Sequence, residues 1–138
     1  MKKRLFAALL LSAAWSAQAS APLSGVPEPL GSYLGAHQVK QAAMKDGVLR
    51  VQLEKADVSE LSYFTFIYHG ICAEQWRKPA AFNAMGLKRV EVFDAAGAKG
   101  FAFDGDSAIC AEMGSMGMKY GDFIRQRSTA CQAGKCTR

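Results

Sequence analysis

Apolar residues recur every three or four positions across Asp57–Pro79: Leu61, Phe64, Tyr68, Ile71 or Cys72, and Trp76. That spacing predicts one face of a helix. Asp57 with Glu60 three residues on fits a capping box. Arg77 and Lys78 suit the negative end of the helix dipole, and Pro79 cannot continue the helix. Taken alone, Tyr63–Tyr68 (YFTFIY) is aromatic and β-branched and also reads as a buried strand. Gly70 inside the longer Asp57–Pro79 run costs a helix about 1 kcal/mol relative to alanine. The start and stop signals enclose roughly twenty residues against about 5–6 for an ordinary strand. The stretch is assigned to a helix buried on more than one side.

Alternation with period two appears on both sides of this helix. Leu49, Val51 and Leu53 alternate with Arg50, Gln52 and Glu54, which makes Val48–Glu54 a strand with one buried face. Asp46-Gly47 is a strong hairpin signal, because both central residues of the turn need positive φ. Gln38–Met44 is therefore the partner strand, although its alanines equally suit a short helix. Leu87–Phe93 alternates again, turns at Asp94–Gly97, and returns as Gly100–Asp104. Asp104 or Asp106 can cap a short helix over Ser107–Met113. A last helix is expected over Asp122–Cys131, and Pro79–Gly86 is read as a loop. The element order ββ-α-ββ-α predicts a small single α+β domain, with an antiparallel sheet of about four strands and helices packed on one face. Ile71–Glu74 and Ile109–Glu112 share the letters ICAE, a faint sign of a duplicated half.

The chain begins with Lys2, Lys3 and Arg4, an apolar Leu5–Trp15, and the small-x-small triplet Ala17-Gln18-Ala19. This is the layout of a cleaved signal peptide. No cysteine follows the site to carry a lipid, and no apolar run is long enough to cross a bilayer. The expected layout is a signal peptide over 1–19, an irregular lead-in over 20–36 rich in proline and glycine, an α+β domain over 37–130, and a basic C-terminal tail over 131–138. The expected location is the periplasm or the medium.

Export changes how the charge is read. Three of the 17 basic residues lie in the leader, so against 12 acidic residues the mature chain carries +2 rather than +5. The remaining excess gathers near the C-terminus in Lys119, Arg125, Arg127, Lys135 and Arg138. Without interleaved aromatics this is no nucleic-acid platform, and it reads as a solvated basic face. Export also assigns the four cysteines, all in the mature chain, to two disulfides. Of three possible connectivities, Cys72–Cys110 with Cys131–Cys136 is preferred because the second pair encloses only four residues.

Few residues offer chemistry. Cys-x-x-Cys redox spacing is absent. His69 with Cys72 has a zinc-like or nucleophile-like spacing, but further ligands are scarce and a disulfide removes the thiolate. Asp104-Gly105-Asp106 with Glu112 faintly resembles a calcium loop and is better spent on turns and caps. Met113, Met116 and Met118 on a glycine-flexible loop form a candidate Cu(I) trap, with His69 as a further ligand. Their bland alternative is adaptable core filling. Tyr63, Phe66 and Tyr68 cannot all face one core, which marks them as a candidate partner-contact patch. The leading expectation is a small, exported, non-enzymatic binding or accessory protein of the bacterial envelope that acts on another envelope protein and needs no cofactor. A periplasmic copper-binding protein is the alternative, and a small envelope enzyme the third reading.

Overall fold

The structure, a computed structural model, describes residues 22–137. The leader expected over residues 1–19 lies outside the described residues. The chain opens with a two-residue strand β1 (Leu23–Ser24) and a helix α1 (Glu28–Ala36). Of the expected irregular lead-in over 20–36, the described part from residue 22 on is therefore largely regular structure. Pro27 is the N-cap of α1 and Pro29 sits in its first turn, where a missing N–H costs nothing. The prolines start a helix here.

Strands β2 (Val39–Lys45) and β3 (Val48–Leu53) form the expected antiparallel hairpin. Asp46 and Gly47 at its tip have φ of 53° and 80°, the positive pair that a tight hairpin turn requires. The central stretch is helical, as its apolar spacing predicts, but in three pieces: α2 (Glu60–Thr65), a π-helical segment (Phe66–Cys72) and α3 (Ala73–Arg77). Its cap differs from the expected Asp57–Glu60 box. Ser59 is the N-cap, and its Oγ accepts from the Ser62 amide at 3.1 Å. Pro79 ends the run and at once starts α4 (Pro79–Ala84) where a loop was expected.

The helical run carries the chain back, so β4 (Arg89–Phe93) lies parallel to β3. The turn after β4 is closed by Asp94, whose carboxylate accepts from the Ala98 and Lys99 amides. β5 (Gly100–Asp104) then returns antiparallel. Helix α5 (Ser107–Met113) is capped by Asp106, one of the two expected candidates. A 3-10 turn (Gly117–Lys119) and α6 (Tyr120–Gln126) follow. The residues after α6 leave the expected helix and form β6 (Ser128–Cys131), antiparallel to β5.

The sheet thus has six strands among the described residues, in the order of the chain, and it is mixed: β1 with β2 and β3 with β4 are parallel. The α+β class stands, while the expected sheet of about four antiparallel strands does not. Among the described residues the helices lie on one face. Leu49, Val51, Val90, Val92 and Phe103 from the strands join Leu30, Leu34, Tyr63, Ile67, Ile71, Phe82, Met113 and Ile124 from the helices in one core. On the reverse face Phe93, Ala102 and Cys131 form a small second cluster, with Cys136 against it.

Residues 132–136 seal that second cluster rather than hanging as a basic tail. The Arg50 guanidinium lies 3.9 Å over the Phe93 ring and donates through Nη2 to the Gly134 carbonyl at 3.1 Å. Arg89 donates to Asp104 at 2.7 Å beside it. Both disulfides have the expected connectivity, Cys72–Cys110 and Cys131–Cys136.

Candidate functional site

The apolar stripe along the central helix runs past the core at its N-terminal end. Phe64 and Cys72 on it are buried, Tyr68 and Trp76 are half-buried, and Leu61 is 72% exposed. Across from Leu61 stands Met118, 94% exposed, on the 3-10 turn. These two are the large exposed hydrophobics among the described residues, and they share one groove of about 360 Å³ between α2 and the start of α6. Phe64 and Tyr120 line it, and Glu60, Asp122 and Arg125 form its rim. Arg125 donates to both rim carboxylates, Asp122 through Nη1 and Glu60 through Nε at 3.1 Å, with its guanidinium 5.2 Å over Phe64. Two carboxylates against one guanidinium leave the rim with one surplus negative charge.

Behind the groove is a rigid aromatic wall. Tyr68 stacks on Tyr120 with centroids 4.0 Å apart and meets Trp76 edge-on at 4.8 Å. Trp76 is fixed by its Nε1–H, which donates to the Cys110 carbonyl at 2.7 Å. His69 stands exposed at the edge of Tyr120, at 6.0 Å.

The three residues expected as a contact patch separate. Tyr68 belongs to the wall just described. Phe66 is buried and turns the other way, 5.6 Å from Tyr33 of α1. Tyr63 is fully buried and has no surface to offer a partner. Consecutive helical positions point some 100° apart, so an aromatic run on a helix spreads over several faces. The methionine trio separates too. Met113 is inside the core, Met116 is half-buried and Met118 is in solvent, so the three thioethers present no common face. Among the described residues no group of three or more His, Cys, Asp and Glu side chains is placed to hold a metal ion. Both histidines stand apart from the serine, threonine and cysteine side chains as far as hydrogen bonds go: His37 bonds only the Tyr33 carbonyl.

Tyr63 has a structural part instead. Ser128 Oγ donates to the Ile124 carbonyl at 2.6 Å, which leaves its oxygen to accept from the Tyr63 hydroxyl, also at 2.6 Å. Burial pushes the Tyr63 phenol well above its ordinary value of 10.0. Up to about pH 10 both folded and unfolded chains keep the proton. Above that the unfolded chain loses it first, so stability falls with rising pH by about 1.4 kcal/mol per unit. Half-buried Tyr33, also raised by burial, adds to the same trend. Tyr63→Phe is expected to cost about 1 kcal/mol near pH 8 through the lost hydrogen bond. It is also expected to flatten most of the decline above pH 10 in urea unfolding. An unchanged slope would place the titrating group elsewhere.

Sequence reasoning missed Leu61 as a surface residue, because its spacing matches the core stripe. Tyr120 was passed over as well. The available signal was the end of an apolar stripe with nothing expected beside it. No protein-family model, curated protein or solved structure matches the chain.

Proposed function

We propose that this chain is an exported, non-enzymatic accessory protein of the bacterial envelope that binds another protein through the Leu61–Met118 groove. The observation that carries this reading is the convergence of the two large exposed apolar side chains on one groove, backed by a wall of stacked aromatics. An apolar centre with a charged rim is the anatomy of a protein interface, where a few well-packed side chains dominate the binding energy. The surplus rim carboxylate favours a partner that inserts an apolar side chain flanked by a basic residue. Two disulfides and the leader-like first nineteen residues support export.

The test is site-specific photo-crosslinking in the bacterial envelope, with the reactive residue at position 61 or, on another face, at position 40. A discrete heterologous adduct from position 61, absent from position 40 and lost in a Met118→Glu variant, is the expected result. Met118→Glu itself should change stability by no more than about 0.5 kcal/mol, as befits a solvated side chain. No adduct from position 61 overturns the reading. So does a concentration-dependent dimer in sedimentation that Met118→Glu dissociates, since the groove would then serve a second copy of this chain.

A further inference from the structure

A second cleft, of about 340 Å³, opens between α1 and the junction of α2 with the π segment. Its walls are aromatic and its lining holds a lysine but no acid. Tyr33 and Phe66 meet at 58° with centroids 5.6 Å apart, and Leu53 of β3 lies beneath. Gly70 creates this wall. Tyr33 lies against the π segment where a Cβ at position 70 would collide with its ring. The extra residue in a π turn and the missing side chain together let an α1 aromatic approach the backbone, and such π turns often mark functional sites.

The polar residues of the lining are Lys55, His37, Gln38, Ser62 and Thr65, with no carboxylate among them. Lys55 makes no hydrogen bond or ion pair with any side chain among the described residues. His37 stacks on Tyr33 at 4.1 Å, and its Nδ1 lies 2.7 Å from the Tyr33 carbonyl. A carbonyl only accepts, so the proton is on Nδ1 and Nε2 is an acceptor, which serves no anion and leaves that part to Lys55. Ser62 Oγ already accepts from Ser59 at 3.0 Å, which leaves its own proton to donate. The positions 62, 65 and 66 share one side of the helix by their spacing.

We propose that this cleft binds a small aryl carboxylate, its ring packed against the exposed edges of the Tyr33–Phe66 pair and its carboxylate on Lys55. The volume falls at the lower end of that of small-molecule sites, about 300–1,000 Å³, and admits one or two rings. Planar aromatic walls select a flat body, since rings gain from offset or edge contact. An unpaired ammonium with no acid in the lining selects an anionic head, and its bond to a carboxylate is charge-assisted. Burial raises the Tyr33 phenol, so that ring stays neutral and does not repel the anion. The site is separate from the Leu61–Met118 groove, and neither reading depends on the other.

The experiment is a titration of the purified mature chain with 2-naphthoate, followed by two-dimensional NMR, with the neutral 2-naphthamide and inorganic phosphate as further probes. The expected result is saturable one-to-one binding with shifts concentrated at Tyr33, His37 and Phe66. The amide and a Lys55→Met variant should each bind at least about tenfold more weakly, equivalent to about 1.4 kcal/mol. Lys55 is exposed, so the variant folds. Equal affinity for amide and carboxylate overturns the assignment to Lys55. Displacement of naphthoate by phosphate at matched concentration overturns the aromatic part. Shifts centred on other residues, or none up to millimolar probe, overturn the site.

Discussion

Replacing Cys72 and Cys110 together by alanine is expected to lower the unfolding free energy by about 4 kcal/mol, the value that loop closure gives for a bridge of this span. The two cysteines are 38 residues apart and both are fully covered. Their bond ties the end of the π segment to the middle of α5. Directly after that segment, α3 meets α5 through the indole of Trp76 on the Cys110 carbonyl, so loosening the bridge slackens the aromatic wall of the groove as well. The matched Cys131→Ala/Cys136→Ala pair closes a loop five residues apart and is expected to cost about 2 kcal/mol. Arg50 still stacks on Phe93 there, so the reverse face keeps part of its packing. Urea midpoints with unchanged slopes give the comparison directly. Equal losses from the two variants would show that packing around the sulfurs, not chain entropy, sets the stability of each.

Gly70→Ala is expected to destabilise by about 1–3 kcal/mol even though alanine is the better helix former by about 1 kcal/mol. The collision decides the sign. A Cβ there would enter the Tyr33 ring, which is held in place by His37 and Phe66. If that is the cause, Gly70→Ala becomes neutral or stabilising once Tyr33 is already alanine. The coupling in such a double-mutant cycle should approach the whole cost of the single change. Additive effects would mean that Gly70 serves the geometry of the π turn itself rather than the approach of Tyr33.

Much of this architecture could be read from local signals. Asp46-Gly47 announced the first hairpin, Asp94–Gly97 the second, and Asp106 the cap of α5, because turns and caps depend on residues a few positions apart. The disulfide pairs were the preferred one of three connectivities, favoured by the short spacing of the second pair. What stayed hidden depended on distant partners. β1 and β6 are two and four residues long and become strands only through their neighbours β2 and β5. Leu61 and Phe64 look alike on a helical wheel, yet Phe64 has a guanidinium over it and Leu61 has open solvent. The cleft was less legible still. Tyr33 fell in a proline-rich stretch read as irregular, and the step from α to π helix that makes room for it leaves no periodic mark. The methionines show the reverse. Three thioethers within six residues look convergent on paper, while a helix end and a 3-10 turn send Met113 inward and Met118 outward.

The cysteines pair in the order in which they occur, first with second and third with fourth. A polypeptide oxidised progressively from its N-terminus therefore meets the correct mate at every step, and no thiol has to wait for a later one while a wrong partner is nearer. Strand neighbours follow chain order in the same way, so each new stretch docks on one already laid down. Refolding from the fully reduced state presents all four thiols at once, with Cys131 nearer in sequence to Cys110 than its mate Cys72, so it should pass through non-native bridges and be speeded by added isomerase.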